Sequence, residues 1–248
     1  MSFNDQVVMV TGAGSGIGAV TAMAFAAEGA RVLLVDIDAG RLDQVVQEIQ
    51  RQGGHAYACA FDVGEASGWH WARSLMAELG LTLDVLVNNA YVIEVKPLHE
   101  LTLESWERQL RIDLTAVYLG VHTFAAQLMA NRGSIVNVAS VHAVTAWPGH
   151  PAYAAAKGGM VALTRQLAVE YGSAIRVNAV LPGPILTATW DGVSEAGLAQ
   201  AAAQTALGRM GSAAEVAAAI TFLASNAASF VTGVSLPVDG GQTIKAQG

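Results

Sequence analysis

Seven short runs of β-branched and aliphatic residues recur along this chain: "QVVMVTG" from residue 6, "RVLLVD" from 31, "AYACAFDV" from 56, "LDVLVNNA" from 83, "GSIVNVAS" from 133, "IRVNAVLP" from 175 and "VSLPVDGG" from 234. They are apolar at nearly every position rather than at every second one, as strands covered on both faces must be. Helix-length stretches rich in Ala, Leu, Glu and Gln separate them, and this alternation predicts a doubly wound α/β fold with a parallel sheet. No internal repeat, low-complexity tract or linker breaks the pattern, so residues 1–248 read as a single domain. The least patterned stretch, "PILTATWDGVSEAGLAQ", predicts a mobile flap over a cleft near residues 184–206.

Composition adds an oligomer to this picture. Apolar residues make up 53% of the chain and charged ones 13%, more apolar than a typical globular domain. Buried strands account for part of the excess and surface buried between subunits for the rest. No apolar run reaches the roughly 18 residues that cross a bilayer, and the start lacks the basic-then-apolar pattern of a secretion signal, so a cytoplasmic protein is expected with no membrane partner. The formal net charge of −7 and the lack of any basic run argue against nucleic acid. Cys59 is the single cysteine, which excludes an internal disulfide and an all-cysteine metal cage; its apolar surroundings predict a small buried side chain. No metal site is expected, since His142 and His150 lack a third ligand nearby in sequence.

The first strand runs into "TGAGSGIG", with glycines at 12, 14, 16 and 18 before a helix. Such a turn lets a pyrophosphate touch the backbone, and the helix start offers free N–H groups and partial positive charge. The spacing Gly12-x-x-x-Gly16-x-Gly18 departs from the usual G-x-G-x-x-G fingerprint. Gly12, Ser15, Gly16, Ile17 and Gly18 are the candidate phosphate-binding residues. Asp36, ending the second strand 18 residues beyond Gly18, stands where a carboxylate binds ribose hydroxyls and repels a 2′-phosphate. Ser15 and Ile37 supply no compensating cation, which favours NAD over NADP. The alternative role for Asp36 is a cap on the helix that follows Ala39.

In "AYAAAKGGM", Tyr153 and Lys157 lie four positions apart and so share one helical face. A phenol titrates near ~10 in isolation, whereas proton exchange works best near the operating pH. A lysine ammonium and an oxidised nicotinamide ring are expected to lower it.

These motifs, taken in order with Asp62-Val63, "NNA" at 88–90, Ser140, "NAVLPGPILT" at 178–187 and "VDGG" at 238–241, resemble the short-chain dehydrogenase/reductase family along essentially the whole chain. The resemblance implies a Rossmann-type, seven-stranded parallel sheet, a nicotinamide cofactor, and a homotetramer or homodimer. It assigns Ser140, Tyr153 and Lys157 as the catalytic set, with Ser140 donating to the substrate oxygen and Lys157 also holding the nicotinamide ribose. Asp62 would bond the adenine amino group with Val63 stacked nearby. Asn88, Asn89 and Ala90 would border the cofactor, Asn88 being equally suited to tying strands together. Pro182 and Gly183 would wall the nicotinamide, and Ile185 and Thr187 would meet its carboxamide.

Two positions depart from the family pattern. Tyr91 stands where the family has glycine, which narrows or redirects the cleft. Asp113, seven residues after Trp106, aligns with the family's catalytic asparagine; it can accept that residue's hydrogen bonds but not donate one, and its charge would raise the pKa of Lys157. It is carried as a fourth catalytic candidate. His142, Trp147, His150, Tyr91 and Trp190 are the candidate substrate contacts, aromatic with a few polar tips. They suit a small hydroxylated or cyclic substrate such as a sugar or polyol. The leading reading is an NAD-dependent alcohol dehydrogenase or ketone reductase. A 3-oxoacyl thioester reductase and a non-catalytic NAD-binding sensor or scaffold are the alternatives.

Overall fold

The computed structural model describes residues 2–245, so residue 1 and residues 246–248 of the expected domain lie outside it. Seven strands form one parallel sheet: β1 (Val7–Thr11), β2 (Arg31–Asp36), β3 (His55–Ala60), β4 (Val85–Asn88), β5 (Ser134–Val138), β6 (Arg176–Pro182) and, after a small pair described below, β9 (Ser235–Val238). Their order is β3-β2-β1-β4-β5-β6-β9, every neighbour parallel. Each of the seven runs read from the sequence supplies one of these strands.

In the inner strands alternate residues enter different cores, which is why those runs are continuously apolar. From β1, Val7 and Met9 join Trp69, Phe124 and Met160, contributed by α3 (Ala66–Glu78), α5 (Ala116–Ala130) and α6 (Pro151–Glu170). Val8 and Val10 join Phe25, Leu42 and Ile220, from α1 (Gly16–Ala27), α2 (Ala39–Arg51) and α8 (Ala213–Ala224). Trp69 is the largest fully buried side chain; its indole N–H donates to the Val63 carbonyl at 2.8 Å, satisfying the one polar atom it carries inside. The thiol of Cys59 is fully buried, as expected, and burial pushes its pKa up to about 12.

Helix starts follow their polar residues. Asp38, not Asp36, caps α2 by accepting the Arg41 N–H at 3.1 Å, so the capping role considered for Asp36 is corrected. Thr102 caps α4 (Leu103–Leu110), Ser194 caps α7 (Glu195–Ala203), and Ser212 with Glu215 makes a capping box on α8. Ser15 makes no such side-chain bond at α1, whose first turn also lacks an acid, so that helix start keeps its N–H groups for another acceptor.

The segment expected to form a mobile flap carries short elements of its own: β7 (Ile185–Leu186) pairs with β8 (Gly211–Ser212), and α7 lies between them. Its sequence, "EAGLAQAAA", is too uniformly small to show an amphipathic period. Among the described residues no helix is long and apolar enough to cross a membrane, and no cluster of His, Cys, Asp and Glu could hold a metal ion.

Candidate active site

Strand order reverses between β1 and β4, and at such a switch point the loops leaving the carboxyl ends diverge and open a crevice. The crevice here is a cleft of about 800 Å³. Of the residues proposed from sequence for the cofactor, Gly12, Ser15, Gly16, Ile17, Asp36, Asp62, Val63, Asn89, Ala90, Tyr153, Lys157, Pro182, Gly183, Ile185 and Thr187 all line it. Gly18 does not. It is buried behind the turn, where a Cβ would stand 2.1 Å from the Gly12 carbonyl oxygen, so only glycine lets α1 pack this closely.

The turn itself is held from β4. Thr11 Oγ1 accepts the N–H groups of Asn89 and Ala90 at 2.9 and 3.0 Å, and Asn89 Nδ2 donates to the carbonyls of Thr11 and Gly12 at 2.8 and 3.2 Å. Asn88 points elsewhere: its Nδ2 donates to Asn137 Oδ1 at 2.9 Å inside the sheet, tying β4 to β5. Of the two roles weighed for Asn88, the structure gives the strand-tying one.

At the far end of β2, Asp36 accepts the N–H groups of Gly14 and Asp38 at 3.0 and 3.1 Å while still facing the cleft. Asp62 accepts the Gly64 N–H at 2.8 Å and pairs with Arg111 at 3.2 Å. The sequence reading missed a cation here. Arg41 lines the same end of the cleft and pairs with Asp38 at 3.3 Å; its place in the first turn of α2, just past the Asp38 cap, was the available signal.

Ser140, Tyr153 and Lys157 meet where β5 ends and α6 begins. Pro151 starts α6, its missing N–H costing nothing in a first turn, which places Tyr153 and Lys157 one turn apart facing the cleft. Ser140 Oγ accepts the His142 N–H at 3.2 Å and lines the cleft together with the Tyr153 phenol. Lys157 is 1% exposed; its Nζ donates to the Val138 carbonyl at 3.1 Å and lies 5.5 Å from the Tyr153 ring centroid, within cation–π range.

Asp113 sits in a single π-helical turn, Arg111–Thr115, inserted between α4 and α5. Such turns widen a helix to aim one residue. Its side chain is fully buried, Oδ1 accepting the Val92 N–H at 2.8 Å and Oδ2 having no partner. Burial raises its pKa to about 6 against the pull of Lys157. In Lys157 the opposing effects are reversed: burial lowers the ammonium's pKa, and the Asp113 carboxylate pushes it back up, as expected from the sequence.

The protein's own groups hold the Tyr153 phenol above its ordinary value. Burial raises its pKa, hydrogen bonding by Ser140 works against that, and the Asp113 carboxylate, with Tyr91 beside it, raises it further. The positive charge of an oxidised nicotinamide would act against this raised value.

Every candidate substrate residue also lines this end. His142 packs against Trp147, His150 and Tyr153 with ring centroids 4.5, 4.6 and 5.3 Å apart, and Tyr91 lies edge-on to Tyr153 at 6.1 Å. Burial, then the charge of His150, lowers the His142 pKa to about 4, so it is neutral at pH 7. Trp190 reaches the cleft from the turn Ala188–Trp190, which follows β7.

Comparison with known proteins decides the family. The family model described as "Enoyl-(Acyl carrier protein) reductase" matches residues 12–243. The chain belongs to the short-chain dehydrogenase/reductase family. Within it, the chain is 44% identical to the cis-4-hydroxycyclohexanecarboxylate dehydrogenase of Sinomonas cyclohexanicum over 98% of both chains. It is 38% identical to the cyclopentanol dehydrogenase of Comamonas sp. (strain NCIMB 9872), covering 97% of this chain and 98% of that one. A candidate gluconate dehydrogenase from Agrobacterium tumefaciens, solved by crystallography, superposes with a TM-score of 0.94 at 33% identity, covering 99% and 98%. As a short-chain dehydrogenase/reductase the protein is an oxidoreductase acting on CH–OH groups with a nicotinamide cofactor.

Proposed function

We propose that this short-chain dehydrogenase/reductase oxidises small secondary alcohols, cyclic or polyhydroxylated, with NAD. The observation that carries the reading is the convergence of Ser140, Tyr153 and Lys157 on one wall of a cleft whose opposite end is the glycine turn and Asp36. The cleft fits a dinucleotide: α1 presents uncapped N–H groups beside Gly12 and Gly16 for the phosphates, and Asp36, ending β2 on the same cleft, would take the ribose hydroxyls.

When bound, the nicotinamide takes up or gives back the hydride. The chain's own groups handle the proton. Ser140 donates to the substrate oxygen and holds it against Tyr153, whose phenolate oxygen takes the hydroxyl proton as the carbonyl forms; for reduction the phenol returns it. Lys157 holds positive charge against the Tyr153 ring and would hold the nicotinamide ribose hydroxyls when the cofactor is bound. Asp113, as a positioning residue, keeps that ammonium charged despite its burial, while its bond to Val92 fixes the loop after β4. Arg41 lines the Asp36 end of the cleft, yet Asp38 already pairs with it, which leaves the Asp36 charge to favour NAD.

The relatives named for cyclic alcohols support the substrate class, as does an aromatic pocket end without a cluster of cations. A reductase of acyl thioesters has the family model's description in its favour; the same aromatic, cation-poor end speaks against a charged carrier tail. We further propose a homotetramer, on the strength of exposed Leu103, Tyr118 and Val169 on α4, α5 and α6, which light scattering would report as four times the chain mass.

Initial rates with cyclopentanol, cyclohexanol, threitol and gluconate, each with NAD and NADP, and with an acetoacetyl thioester and NADH or NADPH, test the proposal. Turnover of a cyclic alcohol or polyol with NAD is expected. Preferential turnover of the thioester would overturn it.

A further inference from the structure

Tyr91 leaves β4 at a position where the family pattern has glycine, and its ring and its hydroxyl both engage the site. The ring stands edge-on to Tyr153 at 6.1 Å and lies 5.8 Å from the Lys157 ammonium. The hydroxyl reaches the opposite lip of the cleft, where it shares a 2.7 Å hydrogen bond with the hydroxyl of Thr189. Two segments 98 residues apart in sequence are thereby joined over the reactive end. On the other side of the phenol, His142 packs against it at 5.3 Å, itself backed by Trp147 and His150. The space at the Tyr153 hydroxyl is therefore bounded by rings on two sides and bridged above.

We propose that Tyr91 is the residue that sets the size limit for the substrate, restricting the reaction to compact secondary alcohols such as a single small ring and shutting out long acyl chains and large rings. The inference rests on the proposed alcohol oxidation and deepens it. A glycine here would leave both the wall and the bridge absent, and the reactive end would open towards the segment that carries Thr189. A ring wall discriminates by exclusion: each methylene that must be forced against it lowers kcat/KM by roughly 10-fold or more, as in other apolar pockets. The hydroxyl bridge adds less, because both partners are substantially exposed and water competes for them.

The test is a size series, cyclopentanol, cyclohexanol, cyclooctanol and cyclododecanol, run with NAD on the wild-type protein, Tyr91→Ala and Thr189→Val. Wild type is expected to favour the two small rings. Tyr91→Ala should raise the kcat/KM ratio of cyclooctanol to cyclopentanol by about tenfold or more, chiefly through KM. Thr189→Val keeps the bulk of Thr189 and loses only the bridge, so it should move the ratio the same way by about two- to threefold. It also serves as the test should the alanine variant not fold. Identical ratios in the folded variants and wild type overturn the assignment of Tyr91 while leaving the proposed alcohol oxidation intact. Failure of all three proteins to oxidise any ring or polyol with NAD would instead defeat the reading beneath it, and the inference with it.

Discussion

Replacing Asp36 by serine should hand the protein over to NADP, and the size of the change follows from the geometry of one end of the cleft. The carboxylate is held by the N–H groups of Gly14 and Asp38 at 3.0 and 3.1 Å, so it cannot swing away from a phosphate placed on the ribose. At a separation of about 5 Å and an effective dielectric of about 20–40, two unit charges repel by about 2–3 kcal/mol. Solvent at this open edge and salt in the buffer favour the lower figure, about 2 kcal/mol. Removing the carboxylate should therefore raise kcat/KM for NADP about 30-fold. The same change takes a charged acceptor from the NAD ribose hydroxyls, a loss of about 1.5 kcal/mol or roughly tenfold in kcat/KM for NAD. Arg41 lines the same end but stays paired with Asp38, so it adds no cation to this figure. The ratio of the two cofactors should shift by on the order of 10²- to 10³-fold, measured by initial rates at fixed alcohol. A shift below threefold would show that Asp36 does not meet the ribose and that the orientation assigned to the dinucleotide is wrong.

Three further outcomes follow from buried groups. The folded pKa of Asp113 is raised to about 6 from an ordinary 3.8, so its ionisation weighs nothing on the fold below about pH 4 and fully above about pH 6; stability should fall across that window by about 2–3 kcal/mol, and the Asp113→Asn variant should lose this slope in urea titrations run at several pH values. An unchanged slope would contradict the burial of the carboxyl. Thr11→Val strips the N–H groups of Asn89 and Ala90 of their acceptor, costing about 2–4 kcal/mol, which denaturant midpoints would register together with a raised KM for NAD. The Cys59 thiol, buried and pushed up to about 12, should not react with an aromatic disulfide reagent until the protein is unfolded.

The main sheet was readable because strands buried on both faces leave unbroken apolar runs, and the glycine turn because its place after the first strand fixes what it can do. β7, β8 and α7 were not: two-residue strands and an alanine-rich helix carry no period to detect. Sequence placed Asp113 opposite Lys157 but could not weigh burial against charge, and so missed that the protein's own groups raise the Tyr153 phenol before any cofactor acts on it. Which of two adjacent asparagines faces the cleft was likewise beyond it, since Asn88 and Asn89 differ only in the face of β4 that each leaves by. Arg41 escaped notice because the search for a cation stopped at the neighbours of Asp36, whereas helix α2 brings its first turn back over the glycine loop.

The account depends on Tyr153 exchanging the proton with the alcohol oxygen. Its direct test is kcat for oxidation of a cyclic alcohol by Tyr153→Phe at saturating NAD, with cofactor binding followed separately by fluorescence. The phenylalanine ring preserves the packing against His142 and Tyr91 and removes only the hydroxyl, so binding of NAD should persist while kcat drops by about 10²-fold or more. A variant that turns over at the wild-type rate would contradict it.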